Sequence, residues 1–188
     1  QIAAISDDVA YNNHDVDDAI RASLININLL KELSYFNKLI KKIYDQHPKI
    51  EDNLLTYQIL RLSISEMIND IIANSNENIA NCEIKNLKDI QISQNFIISM
   101  SKVMQSECKQ ISNFLYDNVY NHPKLIKKRA NSENIIFKLF EYFNKFFEKL
   151  PSDWLLKNEF ELRERIICDY ISGMTDRYAS KLYKSVYE

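Results

Sequence analysis

The stretch IAAISDDVAYNNHDVDDAI, residues 2–20, decides the fold class. At about 100° per residue in a helix, Ile2, Ile5, Val9, Val16 and Ile20 gather on one side, and Asp7, Tyr11, Asp15 and Asp18 fall at i, i+4, i+8 and i+11 on the other. His14 joins the acidic side. The spacing predicts a helix over about residues 2–25 that packs through its aliphatic residues and presents its carboxylates elsewhere.

The same period runs through most of the chain and predicts about six helices. The second covers Leu29 to Asp45, begun by Asn28 as N-cap and stopped before His47-Pro48, because a residue preceding Pro is pushed out of the α region. A third spans Asn53 to Asn74, with Leu55, Ile59, Leu62, Met67 and Ile71 on its apolar side. Residues 75–93, rich in Asn and weak in period, are expected to form a loop. A fourth helix runs from Gln94 to Tyr120 and closes at His122-Pro123; a fifth covers Lys124 to Lys149 and a last one Lys157 to Tyr187. Pro151-Ser152-Asp153 supplies the break and N-cap between these two. No linker rich in Gly, Ser or Pro divides the sequence, so residues 1–188 are expected to form a single all-α unit.

Composition agrees. One Gly and three Pro in 188 residues leave little means of building tight hairpins or a Gly-rich phosphate loop. Lys plus Arg is 24 against 26 Asp plus Glu, a net charge of −2, so no global basic field exists to hold nucleic acid. Apolar residues make up 46% and charged residues 27%, and no apolar run approaches the roughly 18 residues that span a bilayer. Cys82, Cys108 and Cys168 are odd in number and form no CxxC pair, which fits a reducing cytoplasm better than a disulfide framework or a zinc site. The opening residues QIAAISDD lack both the signature of a signal peptide and an initiator Met, so the sequence is expected to be part of a longer chain.

The acidic face of the first helix has a plain reading as a solvated surface. Like charges stacked at these intervals nevertheless cost a few tenths of a kcal/mol per pair unless something cationic answers them. A metal ion, or a phosphate ligand with its cation, would do so. His14-Asp15 is not an HD metal motif, since no His lies upstream of it.

The stretch QIAAISDDVAYNNHDVDDAIRA resembles the helix that carries the last metal ligand in HD-domain deoxynucleoside triphosphate triphosphohydrolases, the dGTPase-like family. RLSISEMINDII at 61–72, FLYDNVYNHPKLI at 114–126 and CDYISGMTDRYA at 168–179 agree in the same order. The resemblance implies the C-terminal half of such an enzyme, with the upstream His and His-Asp ligands outside these residues. It makes Asp7 the metal-ligating carboxylate, Tyr11 the side chain against the sugar that restricts the 2′ position, and Asp15 the acceptor for the 3′-hydroxyl. Tyr120 matches a Tyr that approaches the nucleoside, and Asp8 stands where some relatives carry a Lys directed at the triphosphate. Lys124, Lys127, Lys128 and Arg129 are candidate phosphate contacts at a regulatory or subunit-interface site, set against their plain reading as a solvated helix face.

The implied cofactor is a divalent metal of the Mg, Mn or Co class, completed by ligands outside this chain. The implied substrate is a dNTP, cleaved to deoxynucleoside and tripolyphosphate, and a homo-oligomer is expected. No catalytic residue is assigned within these residues alone, and without the upstream ligands the fragment is expected to be inactive. The alternative is a helical interaction or regulatory module that performs no hydrolysis. The aromatic band Phe137, Phe140, Phe143, Phe146 and Phe147 is expected to be core or interface. His47 and His122 are expected to serve at helix ends.

Overall fold

A computed structural model describes residues 1–156 and 162–187. Among the described residues the chain is all-α, with no strand and with ten α-helices rather than about six. The first helix, α1 (Ile2–Arg21), ends short of residue 25. The predicted second helix is two: α2 (Ile27–Leu30) and α3 (Ser34–Gln46). Its N-cap is Asn26 rather than Asn28, the Asn26 side chain accepting from the Leu29 N–H at 2.9 Å.

The largest departure is α4 (Asp52–Asn81), which continues through the first third of the expected loop. Packing accounts for this. Ser75 is buried, and Asn74 and Asn78, one turn apart, donate to the carbonyls of Ser99 and Ile97 at 2.9 and 3.0 Å. Their polar side chains therefore stabilise the helix through the returning strand of coil, where composition alone argued against helix. A short α5 (Leu87–Ile92) follows in the same region, closed by a capping box between Asn86 and Asp89. Then α6 (Lys102–Leu115) begins eight residues later than expected, capped by the Ser101 hydroxyl. Asp70 of α4 fixes that cap, accepting from the Ser101 hydroxyl at 2.6 Å and its N–H at 2.8 Å.

Beyond the π-helical residues Tyr116–Tyr120 come α7 (Pro123–Lys145), a 3-10 turn (Phe147–Lys149), α8 (Ser152–Leu155), α9 (Arg163–Ser172) and α10 (Asp176–Tyr187). The expected start of the last helix at Lys157 lies outside the described residues. Contacts group the chain into two compact units, Gln1–His122 and Pro123–Glu188. The division falls at His122-Pro123, which the sequence marks as a helix end but not, by composition, as a linker.

In the first unit, α4 packs against α1 and α3, and α6 against α1. Leu30, Phe36, Leu39, Ile40, Leu55, Ile59 and Met67 form its most deeply buried part. The buried side of α1 is Val9, Asn12, Asn13, Val16 and Ala19, so the expected aliphatic stripe holds at Val9 and Val16 but not at Ile2, which is 68% exposed. In the second unit, Leu139, Phe143, Phe147, Leu150, Ile166, Ile167 and Ile171 form one cluster joining α7, α9 and the 3-10 turn. Of the aromatic band, Phe143 and Phe147 are core and Phe140 packs against it, whereas Phe137 and Phe146 are exposed.

Adjacent leucines give a test of this packing. Leu55 is fully buried and Leu54 is 53% exposed. Leu55→Ala is expected to lower unfolding free energy by about 2–5 kcal/mol, and Leu54→Ala to change it by less than about 0.5 kcal/mol. Urea unfolding followed by circular dichroism reads both; equal midpoints would show that α4 does not face the core as described.

Candidate functional site

Helix α1 is fixed from both flanks. On one side the Asn13 amide donates to the Val9 carbonyl at 2.8 Å and to the Met67 sulfur of α4 at 3.3 Å; on the other, the Ser112 hydroxyl of α6 donates to Asn12 Oδ1 at 3.3 Å. Two buried asparagines thus set the rotation of the helix and with it the direction of its acidic edge. Asp7, Tyr11 and His14 are exposed and Asp15 is half-buried. Asp7 and Asp15 are eight residues apart, about 12 Å along the axis at 1.5 Å per residue.

The end of α6 brings a partner to this edge. At Tyr116–Tyr120 the helix widens to a π-helix, with the Asn121 N–H donating to the Tyr116 carbonyl at 3.1 Å, five residues back. Val119 is buried and anchors the segment. Tyr120 then donates its hydroxyl proton to Asp15 Oδ2. Its oxygen lies 3.3 Å from the Tyr11 hydroxyl. A phenol carries one proton, so with that proton on Asp15 the chain runs from Tyr11 to Tyr120 to Asp15. Burial, reinforced by hydrogen bonds to Asp15 and Tyr11, raises the Tyr120 phenol well above the ordinary tyrosine range. It therefore remains a donor at any physiological pH, and Asp15 keeps its second oxygen to accept from a ligand hydroxyl.

The structure thus brings Tyr11, Asp15 and Tyr120 together and places Asp7 two turns away along the same edge. Lys124, Lys127, Lys128 and Arg129 lie exposed on the first turns of α7 in the second unit. Asp7 has the donor chemistry of a ligand for a hard divalent ion, an exposed carboxylate. It does not make a metal site alone: among the described residues no group of three or more His, Cys, Asp or Glu side chains is arranged to hold one. Cys108, half-buried on α6, has its thiol pushed up to about 11, chiefly by burial and then by Asp70 and Asp8, which holds it protonated at neutral pH. Among the described residues no helix is long and apolar enough to cross a membrane.

The π-helical step and the two buried asparagines escape a reading by period. A π-helix leaves the residue types of an ordinary helix in place and only shifts their register by one, and Asn12-Asn13 reads as polar surface until helices are found on both sides.

Residues 98–185 match the family model of a phosphohydrolase-associated domain. The whole chain aligns with a deoxyguanosinetriphosphate triphosphohydrolase-like protein of Bartonella quintana, 32% identical over 191 positions and covering 48% of that protein. A protein of the same name from Leptospira interrogans is 32% identical over 98% of this chain and 49% of its own length, and one from Mesorhizobium japonicum is 29% identical over 100% and 47%. The chain spans about half the length of the curated relatives it matches.

Proposed function

Because the chain belongs to the family of deoxyguanosinetriphosphate triphosphohydrolase-like proteins, we propose that it supplies the sugar-reading edge and one metal ligand of a metal-dependent dNTP triphosphohydrolase. The observation that carries the reading is the hydroxyl chain Tyr11–Tyr120–Asp15, which leaves one carboxylate oxygen of Asp15 beside an exposed tyrosine ring. Asp15 accepts the 3′-hydroxyl of the deoxyribose on that oxygen. Tyr120 acts as its positioning residue, holding the other oxygen so that the free one keeps its direction, and approaches the nucleoside from the same side. Tyr11, 57% exposed, lies against the sugar and leaves no room for a 2′-hydroxyl.

Asp7 ligates a divalent ion of the Mg, Mn or Co class whose other ligands come from outside this chain. Such an ion lowers the pKa of bound water and polarises a phosphoryl oxygen. In the net reaction water adds to the α-phosphorus, the bond from phosphorus to the 5′-oxygen breaks, and that oxygen takes up a proton, giving deoxynucleoside and tripolyphosphate. Asp8 has the wrong charge to meet the triphosphate. Lys124, Lys127, Lys128 and Arg129 serve as phosphate contacts at a regulatory or subunit-interface site of a homo-oligomer.

With Asp7 as the one proposed metal ligand and no group of three or more His, Cys, Asp or Glu side chains arranged to hold an ion among the described residues, the chain alone is expected to release no tripolyphosphate from any dNTP with Mg²⁺, Mn²⁺ or Co²⁺. Release at a rate proportional to its concentration would overturn this assignment of ligands.

A further inference from the structure

Tyr120 reaches Asp15 because the helix that carries it changes pitch. Two side chains of that helix meet α1: the Ser112 hydroxyl donates to Asn12 Oδ1 at 3.3 Å, and the Tyr120 hydroxyl donates to Asp15 Oδ2. They stand eight residues apart. At about 100° per residue an unbroken α-helix would turn Tyr120 about 80° away from the direction of Ser112. The π-helical turn Tyr116–Tyr120 takes up one extra residue. Eight residues then cover the rotation of about seven, and the two side chains come within about 20° of one line.

Within that turn Asn118 makes a bond that an ordinary helix would not need. Its half-buried side-chain amide donates to the Phe114 carbonyl, four residues back, at 3.0 Å. Phe114 belongs to the last α-helical turn before the change of pitch. A side-chain donor offered to the i−4 carbonyl competes with the backbone N–H that would continue the α ladder, and insertions of this kind bend helices. Val119, next in the chain, is buried and fastens the widened turn to the core.

We propose that Asn118 is a positioning residue for Asp15: its bond to Phe114 holds the π-helical turn, and the turn aims the Tyr120 hydroxyl at the carboxylate. The consequence for substrate rests on the reading of Asp15 as acceptor for the 3′-hydroxyl; the placement of Tyr120 does not.

Nuclear magnetic resonance reads the placement without turnover. In full-length protein carrying ¹³C at the tyrosine ζ carbon, the Tyr120 signal is the one missing from Tyr120→Phe, and it is followed from about pH 7 to about pH 11. Burial and the bonds to Asp15 and Tyr11 hold this phenol above the ordinary range, so the wild-type signal is expected to stay that of the neutral ring throughout. Asn118→Leu removes the donor and favours a regular helix, and Asn118→Ala removes it without adding bulk. In both, Tyr120 is expected to ionise within this range, toward the ordinary value of about 10. Asn118→Ser, whose hydroxyl can bond the same carbonyl, is expected to keep the wild-type behaviour. A Tyr120 that stays neutral in both donor-free variants would overturn the proposal, as would a Ser variant that ionises like the Ala variant.

In kcat/KM, Asn118→Leu is expected to lower the preference for a dNTP over its 2′,3′-dideoxy analogue as Tyr120→Phe does. The double variant is expected to lose no more than either single one, since both act through one bond. Losses that multiply would overturn the proposal. A shifted Tyr120 titration with an unchanged preference would uphold the placement and remove the 3′-hydroxyl reading instead.

Discussion

Asp7→Ala, made in the full-length protein, is expected to abolish turnover of every dNTP alike. Asp7 is the one residue of this chain proposed to hold the ion, and losing a carboxylate ligand removes the activated water and the phosphoryl electrophile together. The loss is expected to reach several orders of magnitude in kcat/KM, as removal of an essential catalytic component does. Metal affinity, read by calorimetry apart from activity, is expected to fall in parallel, because a carboxylate contributes both charge and a coordination position. Folding is expected to be unchanged, since Asp7 is exposed and removed from the core. An Asp7→Ala protein with full activity and full metal affinity would remove the ligand assignment.

The second large effect separates Asp15 from Tyr120. Asp15→Ala deletes the proposed acceptor for the 3′-hydroxyl and is expected to cost about 1.5–3 kcal/mol on dNTP substrates, the range for a hydrogen bond to a charged group. A 2′,3′-dideoxy substrate, which has no such hydroxyl, is expected to lose little. Tyr120→Phe removes the hydroxyl that donates to Asp15 Oδ2 and accepts from Tyr11. It is expected to cost less than Asp15→Ala, also mostly on dNTP, because the carboxylate remains and only its direction is loosened. Ratios of kcat/KM for the dNTP and dideoxy pair give the readout. Equal impairment of both substrates by Asp15→Ala would end the sugar assignment.

How much of this was legible in the sequence varied with the kind of physics involved. The acidic edge of α1 was, because a helix fixes which residues share a side and nothing in the fold interrupts residues 2–21. The all-α class was, since one Gly and three Pro leave few alternatives. Helix ends were less so. Residues 75–81 look like loop by composition, and become helix only because Asn74 and Asn78 find the carbonyls of Ser99 and Ile97, a pairing across about twenty residues. The exposure of Ile2 has the same origin: amphipathic period shows which residues share a side but not how far along a helix its neighbours extend.

In the candidate site, Tyr120 could be named by its motif, but the bond to Asp15 could not be read, because it depends on the π-helical step at Tyr116–Tyr120. Asn12 and Asn13 carried no signal of their own, because their burial depends on α4 and α6, which reach them from more than fifty positions away.

Oxygen labelling reads which bond the proposed reaction breaks. Full-length protein is incubated with dGTP and a divalent metal in H₂¹⁸O, and the products are separated and weighed. Deoxyguanosine and tripolyphosphate are expected in equal amounts, with one ¹⁸O in the tripolyphosphate and none in the nucleoside, as attack of water on the α-phosphorus requires. Products of dGMP and pyrophosphate, of dGDP and phosphate, or ¹⁸O in the deoxyguanosine would contradict it.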